Sequence, residues 1–212
     1  MSIADSIYKV AEANFPTRWG TFRILGFEGH FESEGERRKE TAVALVMGDI
    51  HDAPPLVRIH SQCLTGDVFG SLRCDCRQQL EMALSMIADR GKGVLVYEQQ
   101  EGRGIGLMAK LQAYELQDKG LDTVEANEKL GFKSDCRQYS LPVEVLKALG
   151  LKEIKLLSNN PDKVRAVEAA GIKVVERVPC EVEPQKFTER YLTTKKQKMG
   201  HLLTIPIKSP AD

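Results

Sequence analysis

The second half of the chain alternates two patterns at short intervals, and this alternation constrains the fold more than any other feature. "VEVLKALG" (143–150) and "DKVRAVEAAG" (162–171) read as helices, while "IKLLSNN" (154–160) and "KVVERV" (173–178) read as strands. Connections this short lay helices onto a sheet, the mark of a layered α/β domain. The alternation starts earlier: "QQLEMALSMIADRG" (78–91) puts Leu80, Ala83, Leu84 and Ile87 at helical spacing with Gly91 as a stop. "KGVLVYEQ" (92–99) then reads as a strand, and "GIGLMAKLQAYELQDKG" (104–120) as a helix ending near Gly120. Upstream, "RWGTFRILGFEG" (18–29) suggests an antiparallel strand pair, and "TAVALVMGDI" (41–50) and "PLVRIHS" (55–61) read as buried strands flanking a turn at Pro54 and Pro55. The charged run "ESEGERRKE" (32–40) reads as a solvated loop tip. The expected fold is therefore α/β, three-layer α/β/α with a mixed β-sheet and an N-terminal antiparallel strand pair. Residues 1–212 are expected to form a single domain, with a helix in the tail and a loose end from about 204.

A chain of 212 residues, 42% hydrophobic and 28% charged, can bury a core without covalent staples. Thirty basic residues balance thirty acidic ones, which argues against nucleic acid or an anionic membrane as a partner. Any anion must be gripped by local clusters. The N-terminal stretch lacks a continuous apolar segment, and the longest apolar runs are too short to cross a bilayer, so a cytoplasmic protein is expected. In a reducing compartment five cysteines point to thiol chemistry or metal rather than disulfides.

Three of those cysteines, Cys63, Cys74 and Cys76, fall within "HSQCLTGDVFGSLRCDC" (60–76). Structural zinc sites normally use four protein ligands, whereas catalytic sites commonly keep three and leave one position open. Three thiols in one stretch fit the open kind, and zinc is the commonest tetrahedral ion on thiolates. His60 and Cys136 are the candidates for a fourth ligand; His60, alternating with Arg58 and Gln62 along a strand, suits a structural or substrate contact better. A chance cluster remains the competing reading of the spacing alone.

"YEQQEGRGIGLMAK" (97–110) sets Gly102, Gly104 and Gly106 between a strand and a helix, with Glu101 and Arg103 on the turn. Such a turn lets backbone amides approach an anion, a glutamate can accept from a guanine edge, and an arginine forks onto phosphate. An ordinary strand-to-helix turn would look similar. "KSDCRQY" (133–139) carries Asp135 and Arg137, and "SNNPDK" (158–163) carries Ser158, Asn159 and Lys163 at further strand ends, where polar groups of an α/β fold converge on one crevice.

Four motifs, "RIHSQCLTGDVFGSLRCDC" (58–76), "QEGRGIGL" (100–107), "LQDKGLDTVEAN" (116–127) and "NNPDKV" (159–164), together resemble the GTP cyclohydrolase II family of riboflavin biosynthesis, over about residues 15–203. The resemblance implies a zinc-dependent enzyme that hydrolyses GTP to 2,5-diamino-6-(5-phosphoribosylamino)pyrimidin-4(3H)-one with release of formate and diphosphate. It implies one zinc per subunit on Cys63, Cys74 and Cys76, magnesium with the triphosphate, and a homodimer. It assigns GTP contacts to Arg58, Ile59, His60, Ser61, Gln62, Gln79, Glu101, Gly102, Arg103, Thr123, Ser158 and Lys163. Asp135 matches the family's proton acceptor, Arg137 the proposed nucleophile toward the α-phosphate, and Tyr114 a tyrosine that helps complete formate release. A guanidinium is charged at any working pH and has no free lone pair, so electrostatic stabilisation is the alternative role for Arg137.

The chain departs from the family pattern at Gln62 (more often glutamate), Arg77 (glycine), Ser158 (threonine) and Cys136 (a carboxylate or leucine). Gln62 and Arg77 motivate a second reading, in which ring opening stops at the formamide or another purine nucleotide is preferred. A third reading is a non-catalytic nucleotide sensor. The dihydroxybutanone phosphate synthase domain that precedes this one in many bacteria is not expected.

Overall fold

The structure, a computed structural model, describes residues 3–33, 36–133, 135–184 and 188–204. Seven strands, β1 (Ile3–Thr17), β2 (Gly20–Ser33), β3 (Glu36–Met47), β4 (Leu56–Ser61), β5 (Gly93–Glu98), β6 (Glu153–Leu157) and β7 (Lys173–Val178), form one mixed sheet in the order β1-β2-β3-β5-β4-β6-β7. Neighbours from β1 to β5 run antiparallel, and β5-β4, β4-β6 and β6-β7 run parallel. The helices are α1 (Cys76–Asp89), α2 (Leu107–Asp118), α3 (Thr123–Lys129), α4 (Ser140–Ala148), α5 (Pro161–Ala169) and α6 (Glu189–Lys198).

The strands β4 and β5 are almost wholly buried, as parallel strands covered on both faces must be. Their residues divide by parity between two cores. Val57, Ile59, Val94 and Val96 join Leu141, Val145 and Leu146 of α4 and Val167 of α5, whereas Leu56 and Leu95 join Ala83, Leu84 and Ile87 of α1. The three layers expected from the alternation are thus present. Their arrangement follows from chain direction: the path from β4 to β5 moves one way across the sheet and the path from β5 through β6 to β7 moves the other way. With a fixed crossover hand, helices on the two paths cover opposite faces. The reversal takes place at β4.

Two expectations at the N-terminal end need correction. The antiparallel pair turns at Arg18 and Trp19, so its first strand is Ile3–Thr17, upstream of the segment in which the pair was expected. The charged run 32–40 is largely strand, because Glu32 pairs with Arg37 and Ser33 with Glu36. The ribbon is held in part by charge, Lys39 meeting Glu28 across the strands at 2.7 Å. The expected tail helix is present as α6; the loose end from about 204 lies almost wholly outside the described residues. No helix among the described residues is long and apolar enough to cross a membrane.

Candidate functional site

A cavity opens at the C-terminal ends of β4, β5 and β6, where the strand order reverses and the loops on either side diverge. It gathers Arg58, His60, Ser61 and Gln62 from β4 and its exit, Glu101, Gly102 and Arg103 from the turn after β5, and Ser158 and Lys163 from the exit of β6 and the start of α5. Gln79, Tyr114, Thr123, Arg137 and the three clustered cysteines also line it. Of the residues to which the family resemblance assigns a role, Ile59 and Asp135 do not. The Ile59 side chain is buried in the core beneath α4, and only its carbonyl faces the site, accepting from Lys163 Nζ at 2.8 Å. Asp135 stands behind Arg137.

The thiols of Cys63, Cys74 and Cys76 lie within 4.8 Å of one another, and the Cys63 and Cys74 sulfurs are 3.6 Å apart. Tetrahedral zinc with bonds of about 2.3 Å to sulfur sets its thiolates about 3.8 Å apart, so the donor set fits that ion. A single π-helical turn, Leu64–Val68, folds under the cluster and brings Gly66 against it. A Cβ at Gly66 would sit 2.9 Å from Cys74 Sγ and 3.1 Å from Cys63 Sγ, so the cradle admits no side chain. Thiol protons shared from Cys74 and Cys76, with the Lys110 ammonium beside it, hold the Cys63 pKa well below the usual range, and the Cys63 charge in turn pushes Cys74 up to about 11 and Cys76 well above its ordinary value. Deprotonating all three together calls for a cation among them.

The surrounding groups are interlocked. Lys110 Nζ donates to Cys63 Sγ at 3.1 Å and to Glu101 Oε1 at 2.7 Å. Glu101 also accepts from the Leu64 and Gly102 amides, at 2.6 and 2.9 Å. Asp67 accepts from the Cys63 amide at 3.0 Å and from the Tyr97 hydroxyl at 2.9 Å, and meets His60 Nε2 at 3.2 Å. His60 stacks on Tyr97, burial lowers its pKa, and its Nδ1 has no hydrogen-bond partner among the described residues. It is engaged with Asp67 and Tyr97, and among the described residues neither it nor Cys136 belongs to the thiol cluster. The Tyr114 hydroxyl lies 3.1 Å from Thr65 Oγ1, and burial raises its pKa.

The glycine turn is used differently from the way its composition suggests. Gly102 and Arg103 both take left-handed backbone, φ 62° and 61°, and a Cβ at Gly104 would meet the Cys136 carbonyl at 2.9 Å. The turn is pressed onto 136–137, where the Cys136 amide donates to the Arg103 carbonyl at 3.0 Å. Left-handed backbone at a non-glycine residue is costly and concentrates at functional sites. Here it aims a guanidinium whose Nη1 and Nη2 are buried with no hydrogen-bond partner among the described residues.

Across the cavity Arg137 Nε donates to both Asp135 oxygens at 2.9 and 3.1 Å. Burial alone would raise the Asp135 pKa, but the Arg137 guanidinium outweighs it and holds the carboxyl below the usual range. Arg58 donates to the Leu157 carbonyl at 3.0 Å and to Gln79 Oε1 at 2.7 Å, and Gln79 donates to Asp75. Burial pushes the Lys163 pKa down, with Glu98 opposing. Thr123 opens α3, and its buried Oγ1 has no hydrogen-bond partner among the described residues.

Sequence reasoning missed Asp67, Asp75, Lys110, Lys195 and His201. Lys110 carried a usable signal: it precedes Tyr114 by four residues and so shares its helix face. Asp67 and Asp75 lie within the cysteine stretch itself, on the π turn and between the last two thiols, whereas Lys195 and His201 come from α6 and the segment after it, which no local pattern places against the cysteines.

A family model described as GTP cyclohydrolase II matches residues 8–179. The chain is 51% identical over 199 residues to GTP cyclohydrolase-2 of Haemophilus influenzae, covering 93% of this chain and 89% of that one. It is 52% identical over 198 residues to GTP cyclohydrolase-2 of Buchnera aphidicola, covering 93% and 98%. It is also 53% identical over 198 residues to the riboflavin biosynthesis protein RibBA of Aquifex aeolicus, covering 92% of this chain and 47% of that protein. The chain thus spans about half the length of the RibBA relatives it matches.

Proposed function

Since the chain belongs to the GTP cyclohydrolase II family, we propose that it hydrolyses GTP to 2,5-diamino-6-(5-phosphoribosylamino)pyrimidin-4(3H)-one, formate and diphosphate. The observation that carries this reading is a metal-competent thiol cluster facing unpartnered guanidinium nitrogens across one cavity. Cys63, Cys74 and Cys76 would hold zinc, which supplies Lewis acidity for hydrolytic opening of the purine ring at C8.

The chain's own residues divide the remaining work. Lys110 offsets charge at Cys63 and fixes Glu101 beside the thiols, so Glu101 can accept from the base only with oxygen lone pairs left over by two amides and an ammonium. Tyr114, protonated at neutral pH, can hand its hydroxyl proton to the nitrogen that departs as formate leaves. Arg103 would take phosphate oxygens with its free Nη1 and Nη2, needing no rearrangement. Arg137 is charged and clamped by Asp135, which suits electrostatic stabilisation at the α-phosphate better than covalent attack, and assigns Asp135 to acceptance from Arg137. Arg58, His60, Ser61, Gln62, Gln79, Gly102, Thr123, Ser158 and Lys163 complete the nucleotide site in this reading; Ile59 contributes through its carbonyl hold on Lys163.

Magnesium would travel with the triphosphate. A single domain, supported by the one continuous sheet, and a cytoplasmic setting, supported by the free state of all five cysteines, complete the proposal together with the homodimer that the family resemblance implies. The test is product identification. Zinc-loaded protein with GTP and magnesium is expected to release formate and diphosphate and to yield the deformylated pyrimidine by mass spectrometry, all abolished by a zinc chelator. Absence of all three products from zinc-loaded protein would overturn the reading; a product that keeps the formyl group would establish the stalled alternative.

A further inference from the structure

The family match ends at residue 179, yet three side chains beyond it, Tyr191, Lys195 and His201, line the same cavity as the thiols and Arg103. The segment that carries them is built in. Lys195 Nζ lies 2.9 Å from Asp75 Oδ1, and both residues are almost fully buried, at 8% and 2% exposure. Asp75 sits between Cys74 and Cys76 and also accepts from Gln79, which holds Arg58. One chain of buried polar contacts therefore runs from α6, past the thiol loop, to the floor of the cavity. Leu192 is buried, the His201 amide donates to the Lys195 carbonyl at 3.1 Å, and the Leu202 amide donates to the Asn159 carbonyl at 2.9 Å.

We propose that residues 188–204 are a wall of the nucleotide cavity, with Lys195 as the positioning residue that anchors it and His201 as a side chain that contacts the phosphates; this rests on the GTP reading above. The Tyr191 ring backs the wall, with Lys195 Nζ 4.3 Å and the Arg103 guanidinium carbon 5.6 Å from its centroid. His201 shares its surroundings with Lys195, Arg137, Arg103 and Lys163. Burial first, and then these cations, push its pKa down to about 2. The imidazole is consequently neutral, with one N–H to donate, in the part of the cavity where positive charge is densest. An N–H donor among cations suits a phosphate oxygen rather than the purine.

Full-length zinc-loaded protein and its His201→Ala and His201→Asn variants decide the matter. Three constants are measured: KM for GTP, and the inhibition constants of inorganic diphosphate and of guanosine. His201→Ala is expected to raise KM and the diphosphate constant together by about tenfold, the loss of one hydrogen bond to a charged group. The guanosine constant should stay within twofold, and Asn, a neutral donor, should recover part of the loss. A diphosphate constant within twofold of wild type in an active His201→Ala enzyme overturns the proposal alone. Failure of the wild type to turn over GTP overturns the underlying reading instead.

The anchor is tested separately. Lys195→Met is expected to speed hydrogen exchange across 188–204 and to raise the diphosphate constant, with Lys195→Arg restoring both. If Lys195→Met does not fold, Asp75→Asn/Lys195→Met, which leaves no carboxylate orphaned, takes its place; unchanged exchange and inhibition in that variant refute the anchoring role.

Discussion

Gly66→Ala is a perturbation whose effect is almost purely steric. Gly66 does not use left-handed backbone, so alanine is conformationally acceptable there, and what it changes is the space beneath the thiols. The added Cβ would lie 2.9 Å from Cys74 Sγ, 3.1 Å from Cys63 Sγ and 3.1 Å from Cys76 Cβ, all well inside ordinary van der Waals contact. Each sulfur must retreat by several tenths of an ångström or the turn must lift. Overpacking of this kind costs about 1–3 kcal/mol. In metal-free protein the thiols can spread and absorb much of that strain. With zinc bound they are held near one spacing, so the cost falls on affinity, a weakening of roughly 5- to 150-fold. Competition against a chromophoric chelator measures it directly. Gly26→Ala is the control, because a Cβ there meets nothing within 4 Å. Zinc held by Gly66→Ala with wild-type affinity would refute the assignment of these three sulfurs as the ligand set.

Lys110→Met breaks a buried pair, with 12% and 10% of the two side chains exposed, and leaves Glu101 to its two amides; the expected loss is about 3–5 kcal/mol in urea unfolding. Burial lowers the Lys110 pKa, but Glu101 and Cys63 outweigh it and raise the folded value above the unfolded one. The stabilisation is therefore complete below about pH 10 and fades only as pH climbs through the raised value, so the deficit should be constant from pH 6 to 9. A deficit under ~1 kcal/mol, or one that shrinks across that range, contradicts the pairing. Tyr114→Phe should leave KM for GTP within about threefold while slowing completed product by about 10²-fold or more, with a formylated species accumulating in the mass spectrum; a large KM rise with normal product would assign Tyr114 to binding instead.

The fold was most legible where apolar faces are buried against a single neighbour. Leu141, Val145 and Leu146 of α4 and Ala83, Leu84 and Ile87 of α1 recur at helical spacing because each helix covers one face of the sheet. It was least legible in β1, where Tyr8, Val10 and Phe15 are exposed and no consistent parity marks an inner face. The same applies to 36–40, where a run of charged residues reads equally well as loop or ribbon until a partner strand is known.

The site was legible to the extent that its residues are carried on strand ends, since convergence there follows from topology. Lys195 reaches Asp75 across 120 positions and Lys163 reaches the Ile59 carbonyl across 104, and no local pattern encodes such distances. Charge accounting, available only once these pairs are known, also bears on Gln62. Lys110 offsets Glu101 and Lys195 offsets Asp75, which leaves Asp67 and the three thiols as the anionic side of the centre. The Gln62 amide donates to the Glu98 carbonyl at 2.8 Å, and its side chain faces the cavity directly before the first thiol. A glutamate in that place, the commoner residue of the family pattern, would add a further negative charge beside the thiol cluster. The neutral amide keeps hydrogen-bonding capacity and leaves the arginines across the cavity free for phosphate.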